Sequence, residues 1–195
     1  DSKEALGLVV MLQFLPITVF VLFAGVIADR VPKRNFILCT QALAMAQALT
    51  LAALGVGRGD RVALVLPQRP ETVVAHIAVY QLGAIAVPLS FLFGPDALGY
   101  RLENSAAKVA LVDPQSLPNL VPIRDRCAGV AHVIGVAGAC ETGVTPYESL
   151  IAAASRNFTP VATRAIDPAV LIYTSGTTGP AKGALMPHRC LIGNL

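Results

Sequence analysis

The chain has no tryptophan and few other aromatic residues, with 7 Phe and 4 Tyr among 195 residues. With little to stack bases, no long basic run and a net charge of only +3, it lacks the footprint of a nucleic-acid binder. Cysteine is also sparse. Cys39, Cys127, Cys140 and Cys190 lie far apart with no C-x-x-C spacing, which excludes both a disulfide framework and a zinc module. The histidines His76, His132 and His188 are equally scattered, so no metal site built on protein ligands is expected. Idle or buried thiols in a reducing compartment fit this pattern.

Charge is scarce at the start of the chain. Before residue 58 the only charged residues are Asp1, Lys3, Glu4, Asp29, Arg30, Lys33 and Arg34, leaving residues 5–28 and 35–57 uncharged. These stretches account for much of a mean hydropathy of +0.63. A helix of about 20 apolar residues crosses a bilayer, so both qualify as transmembrane candidates. The expectation is an apolar helical hairpin over residues 1–54, with membrane contact through residues 5–56. A signal peptide is the poorer expectation, because no basic segment opens the chain, the apolar run is long, and no small-residue cleavage site precedes Asp29. The chain opens on Asp1 and stops soon after its sharpest motif, so both ends are expected to lie inside a longer protein.

From residue 59 the pattern alternates between strand and helix. Strands are predicted at Arg61–Leu66, Ala84–Pro88, Lys108–Val112, His132–Val136 and Ala169–Tyr173. Helices are predicted at Pro70–Leu82, Pro95–Asn104 and Tyr147–Ser155, with another beginning at His188. Proline near the first turn of two of these helices, and Gly83 after the first, are start and stop signals. This order predicts an α/β fold, a mostly parallel sheet with helices on both faces. Ligands of such sheets bind at the carboxyl ends of strands.

One loop occupies that position. Residues 171–183 read Leu-Ile-Tyr-Thr-Ser-Gly-Thr-Thr-Gly-Pro-Ala-Lys-Gly. An apolar strand runs into a segment bearing hydroxyls, glycines and a single lysine. Backbone N–H groups, hydroxyls and an ammonium can converge on a polyphosphate there. A Walker A loop is excluded, because Lys182 precedes a glycine and Ala184 stands where a hydroxyl is needed; the dinucleotide fingerprint G-x-G-x-x-G is absent as well.

The run Leu171–Lys182 resembles the phosphate-loop signature of adenylate-forming enzymes, which include acyl-CoA synthetases, peptide-synthetase adenylation domains and luciferases. Upstream pieces resemble the same family: residues 55–71, residues 80–89, Gly94–Leu98 and Arg101–Ser105. On this resemblance, residues 55–195 form an incomplete AMP-binding domain. It implies ATP-dependent activation of a small-molecule carboxylate to an acyl-adenylate, followed by thioester formation with coenzyme A. Thr174, Ser175, Gly176, Thr177, Thr178, Gly179 and Lys182 would hold the phosphates. Lys182 would act as the catalytic cation, and Thr178 would lie nearest Mg²⁺. The adenine segment, the ribose-binding aspartate and the mobile C-terminal domain would come after residue 195, so the chain alone is expected to be inactive. Among other residues, Tyr173 is expected to pack beneath the loop, Asp113 and Asp167 to close strands or turns, and His76 to be structural.

The connection Gly25–Arg34 resembles the short cytoplasmic loop of major-facilitator transporters, a likeness covering residues 5–50. It creates a conflict. With Arg30, Lys33 and Arg34 in the cytoplasm, a second membrane span would carry the phosphate loop away from ATP. The ligase-like part is expected in the cytoplasm, with the inner or plasma membrane involved only if residues 5–56 are native to the chain. Three readings stand: a ligase fragment joined to foreign membrane sequence, a transporter fragment with an incidental tail, and a natural membrane-tethered ligase.

Overall fold

The computed structural model describes residues 33–154, 158–174 and 180–192. The chain divides into two units, Asp1–Thr40 and Gln41–Leu195. Helix α1 (Lys33–Ala53) begins in the first unit and ends in the second. The sheet lies wholly within the second.

The first expected membrane span and most of the Gly25–Arg34 loop lie outside the described residues. The second apolar stretch is described, and it corrects the expectation of a membrane span there; the hairpin as a whole is not shown. Among the described residues no helix is long and apolar enough to cross a membrane. Instead Ala44, Gln47, Ala48, Thr50 and Leu51 of α1 are buried. Ala48 and Leu51 join a core cluster with strand residues Val62 and Leu64. Tyr147 Oη donates to Gln47 Oε1 at 3.2 Å, and Thr50 Oγ1 donates to the Ala46 carbonyl of its own helix at 3.0 Å and to the Leu150 carbonyl at 3.3 Å, while Gln47 Nε2 is buried with no partner among the described residues. A helix whose body is uncharged after Lys33 and Arg34 can cover a sheet as well as enter a lipid, and here its carboxyl half covers the sheet.

Seven strands form one sheet in the order β5-β4-β3-β1-β2-β6-β7. They are β1 (Arg61–Val65), β2 (Ile85–Pro88), β3 (Ala107–Val112), β4 (His132–Gly135), β5 (Val144–Pro146), β6 (Pro168–Thr174) and β7 (Lys182–Pro187). Every pairing is parallel except β6 with β7. Strand side chains alternate between faces. Val62 and Leu64 therefore point into one cluster with α1 and α2 (Pro70–Gln81), while Ala63 and Val65 point into another with α3 (Pro95–Ser105). The second cluster also takes Leu117 and Leu120 from the short helix α4 (Leu117–Leu120) and Ile123 from the 3₁₀ turn after it. Burial on both faces is why β1 and β3 read as nearly continuous apolar runs. Helices α5 (Tyr147–Ala153) and α6 (Arg189–Ile192) complete the described elements. Gly83 ends the turn after α2 with φ of +64°, a conformation that favours glycine.

The expected α/β class and the predicted strands and helices of this unit are present. Two strands were not predicted. β5 has only three residues, too short to show a period. β7 begins at Lys182, inside the stretch read as loop, so the lysine opens an antiparallel strand rather than hanging from a loop.

Candidate functional site

β6 is buried at its root and open at its tip. Ala169 and Val170 are buried, whereas Thr174 at the carboxyl end is exposed. Thr174 pairs in register with Lys182 of β7, and Tyr173 pairs with Gly183. Directly opposed residues share a face, and successive residues alternate. The Thr174 hydroxyl and the Lys182 ammonium therefore stand side by side on one face of an exposed rung. Tyr173 turns to the opposite face and packs on the second core cluster.

Of the sequence-predicted site residues, the structure thus brings together Thr174 and Lys182. Ser175, Gly176, Thr177, Thr178 and Gly179 lie outside the described residues. Lys182 has no carboxylate partner among the described residues, so its charge is available to a ligand. No group of three or more metal-ligating side chains occurs among the described residues.

The back of the rung is closely built. Tyr173 Oη donates to Asn104 Oδ1 at 2.7 Å, and burial pushes the phenol above its ordinary pKa. The Arg101 guanidinium lies 4.1 Å from the centroid of Phe93 and 5.8 Å from that of Tyr173. Tyr100 Oη donates to the Ala181 carbonyl at 3.0 Å. Gly183 is needed for close approach: a Cβ there would stand 2.9 Å from Leu171 Cδ1 and 3.4 Å from the Tyr173 ring. The glycine after the motif lysine therefore lets Leu171 and Tyr173 lie across β7. Tyr100, Arg101 and Asn104 were not singled out as site residues in the sequence. Their helix lies far from the motif in the chain, and only their one-turn spacing hinted that Tyr100 and Asn104 share a face.

The expected structural residues take structural places. Asp113 Oδ1 accepts from the backbone N–H of Ser116 at 2.9 Å and closes the turn after β3. Asp167 accepts from the Arg164 backbone N–H at 2.8 Å and pairs with Arg58 and with the Arg164 side chain. The Arg164 N–H, more than either guanidinium, holds the Asp167 carboxyl below its ordinary pKa. His76 Nδ1 and Tyr80 Oη are 3.0 Å apart, and the His188 ring meets Tyr80 edge-on with centroids 5.7 Å apart. Burial lowers the His76 pKa and pushes Tyr80 up to about 12.

Two grooves of 490 and 510 Å³ open elsewhere. One is lined by α1 and α5, the other by the segments after β3 and β4. Neither includes Thr174 or Lys182.

The family of AMP-binding enzymes matches residues 38–195. Acetyl-coenzyme A synthetase of Bacillus subtilis is 35% identical over 139 residues, covering 70% of this chain and 24% of the relative. The long-chain-fatty-acid–CoA ligase of Thermus thermophilus is 33% identical over 142 residues, covering 73% of this chain and 26% of the relative. Among solved structures, an anthranilate CoA ligase in complex with anthranoyl-AMP aligns with a TM-score of 0.74 at 27% identity, over 77% of this chain and 29% of that one. The chain therefore spans about a quarter of the length of these curated relatives. The transporter resemblance drawn for residues 5–50 finds no support in these comparisons, and the family match begins within that stretch, at residue 38.

Proposed function

This chain belongs to the family of AMP-binding enzymes, and from that premise we propose that it supplies the phosphate-binding part of an ATP-dependent acid–thiol ligase. In this reading a carboxylate oxygen attacks the α-phosphorus of ATP. A new O–P bond forms, the bond from the α-phosphorus to the bridging oxygen breaks, and pyrophosphate leaves. A thiol, with coenzyme A the proposed acceptor, then attacks the acyl carbon and releases AMP. The named CoA ligases among the relatives support this class of reaction.

The observation that carries the reading is the Thr174–Lys182 rung at the exposed carboxyl end of β6. Negative charge grows on the β-phosphate oxygens as pyrophosphate departs. Lys182 would neutralise it, and Thr174 would donate a hydrogen bond to it. Donors fixed in place before the reaction stabilise such charge most effectively. Ser175, Gly176, Thr177, Thr178 and Gly179 are proposed to complete the cradle with N–H and hydroxyl donors. Mg²⁺, when bound, would offset the negative charge of the phosphates, and the Thr178 hydroxyl is the side chain proposed to hold it.

We place the domain start within α1, not at residue 55, because its carboxyl half packs into the sheet's core. The test is pyrophosphate–ATP exchange in a complete enzyme that contains this segment. Lys182→Ala should slow exchange about tenfold to a hundredfold, the worth of one charge-assisted hydrogen bond. It should leave the KM for the carboxylate nearly unchanged. Unaltered exchange would remove Lys182 from the mechanism.

A further inference from the structure

Helix α3 grips both strand ends that carry the exposed rung, and we propose that Tyr100 and Asn104 are positioning residues for Thr174 and Lys182. The proposal rests on the reading of Lys182 as a phosphate-binding cation. Tyr100 and Asn104 are four residues apart on α3, so they leave the helix on one face. Tyr100 Oη donates to the carbonyl of Ala181, the residue before Lys182, at 3.0 Å. Asn104 Oδ1 accepts from Tyr173, the residue before Thr174, at 2.7 Å. Each contact therefore holds the immediate predecessor of a rung residue. On β6 neighbours face opposite ways, so the grip on the Tyr173 side chain aims the Thr174 hydroxyl out of the other face, while the bond to the Ala181 carbonyl holds the backbone that leads into Lys182.

The helix is itself anchored. Arg61 of β1 donates to the Ser105 carbonyl at 2.8 Å and to the Ala106 carbonyl at 3.1 Å. A continuous set of bonds thus runs from the central strand through α3 to the rung. Among the described residues β7 is an edge strand, bonded on one side only. The open end of such a pair frays most readily. A lysine on a fraying rung must be ordered at each binding event, whereas one on a fixed rung is already in place. The phenol and the carboxamide supply that fixing without touching a phosphate.

The test is a titration of the 195-residue chain with inorganic tripolyphosphate in the presence of Mg²⁺, monitored by NMR, alongside amide hydrogen exchange without ligand. Tyr100→Phe removes one hydroxyl, Asn104→Ala removes the acceptor, and Asn104→Asp retains an acceptor. Tyr100→Phe and Asn104→Ala should each raise the apparent Kd about three- to tenfold, and Asn104→Asp should restore it. Exchange at the Thr174 and Lys182 amides should quicken in the two weakened variants while the β1–β3 ladder is unchanged. In a Lys182→Ala background, Tyr100→Phe should have no further effect on Kd, because it acts through the lysine. Unchanged exchange at the rung would overturn the grip. Faster exchange with an unchanged Kd would leave a structural contact only and overturn the positioning role. A Tyr100→Phe effect that persists without Lys182 would overturn it as well. Absence of any tripolyphosphate binding by the wild-type chain would instead strike the phosphate reading, while the exchange measurement still decides whether α3 fixes the rung.

Discussion

The centre of the sheet and its β6–β7 edge are made of similar apolar residues put to different use. Val62, Ala63, Val109, Ala110 and Leu111 are wholly buried between two helical layers. At the edge, Ile172 is 37% exposed and Leu185 55% exposed, and Thr174 and Lys182 stand open. The centre gains stability from burial on both faces. The edge gives up much of that burial and presents polar groups at a strand end. The difference separates a scaffold from the place where chemistry is proposed, and it can be attacked from either side.

The largest effect is expected at the centre. Leu111→Ala should cost about 2–5 kcal/mol, the transfer free energy of the lost methyls plus the cavity left behind. Leu185→Ala should change stability by less than about 0.5 kcal/mol, since an exposed side chain leaves no void. Urea unfolding of both variants checks this, and equal losses would abolish the contrast. The next effect lies at the edge itself. Gly183→Val sets branched carbons against Leu171 and the Tyr173 ring, and should cost about 1–3 kcal/mol through overpacking. Its signature should be faster amide exchange along β6–β7 with the β1–β3 ladder intact.

A subtler prediction concerns alkali. Tyr80 and Tyr147 are half-buried phenols, and desolvation pushes each pKa up from 10.0 to about 12. A folded pKa above the unfolded one contributes stability that is complete below the unfolded value. That stability is lost as pH rises through the folded value. The protein should therefore hold its stability to about pH 10 and lose part of it between about pH 10 and 12. Tyr80→Phe should flatten that loss. Phenolate absorbance and thermal melts measured together across this window test it, and a Tyr80 that titrates near pH 10 in the folded chain would refute it.

Much of this architecture is legible in the sequence because period and burial coincide. β1 and β3 are nearly continuous apolar runs, α2 and α3 open with prolines, and Gly83 marks a helix stop. The phosphate motif pointed to Thr174 and Lys182 before any geometry was available. The α1 stretch was misjudged for a physical reason. Hydropathy reports that residues 35–57 avoid water, but not whether protein or lipid replaces it. Gln47 and Thr50 were the available hint, since Gln47 accepts from Tyr147 and Thr50 donates to the Leu150 carbonyl of a helix far along the chain. β7 was hidden by the motif's own glycine and lysine, which read as loop, and its identity as a strand depends on pairing with β6. The grip of Tyr100 and Asn104 was illegible for a related reason: each contact joins residues far apart in the chain, and no local pattern encodes it.

The central claim is that the Thr174–Lys182 rung receives a polyphosphate, and amide chemical-shift mapping of the 195-residue chain during titration with Mg²⁺ and tripolyphosphate tests it most directly. The account predicts shifts concentrated on residues 174–183, saturable in the wild type and about tenfold weaker in Lys182→Ala. Shifts that cluster elsewhere, or that are the same in Lys182→Ala as in the wild type, would contradict it.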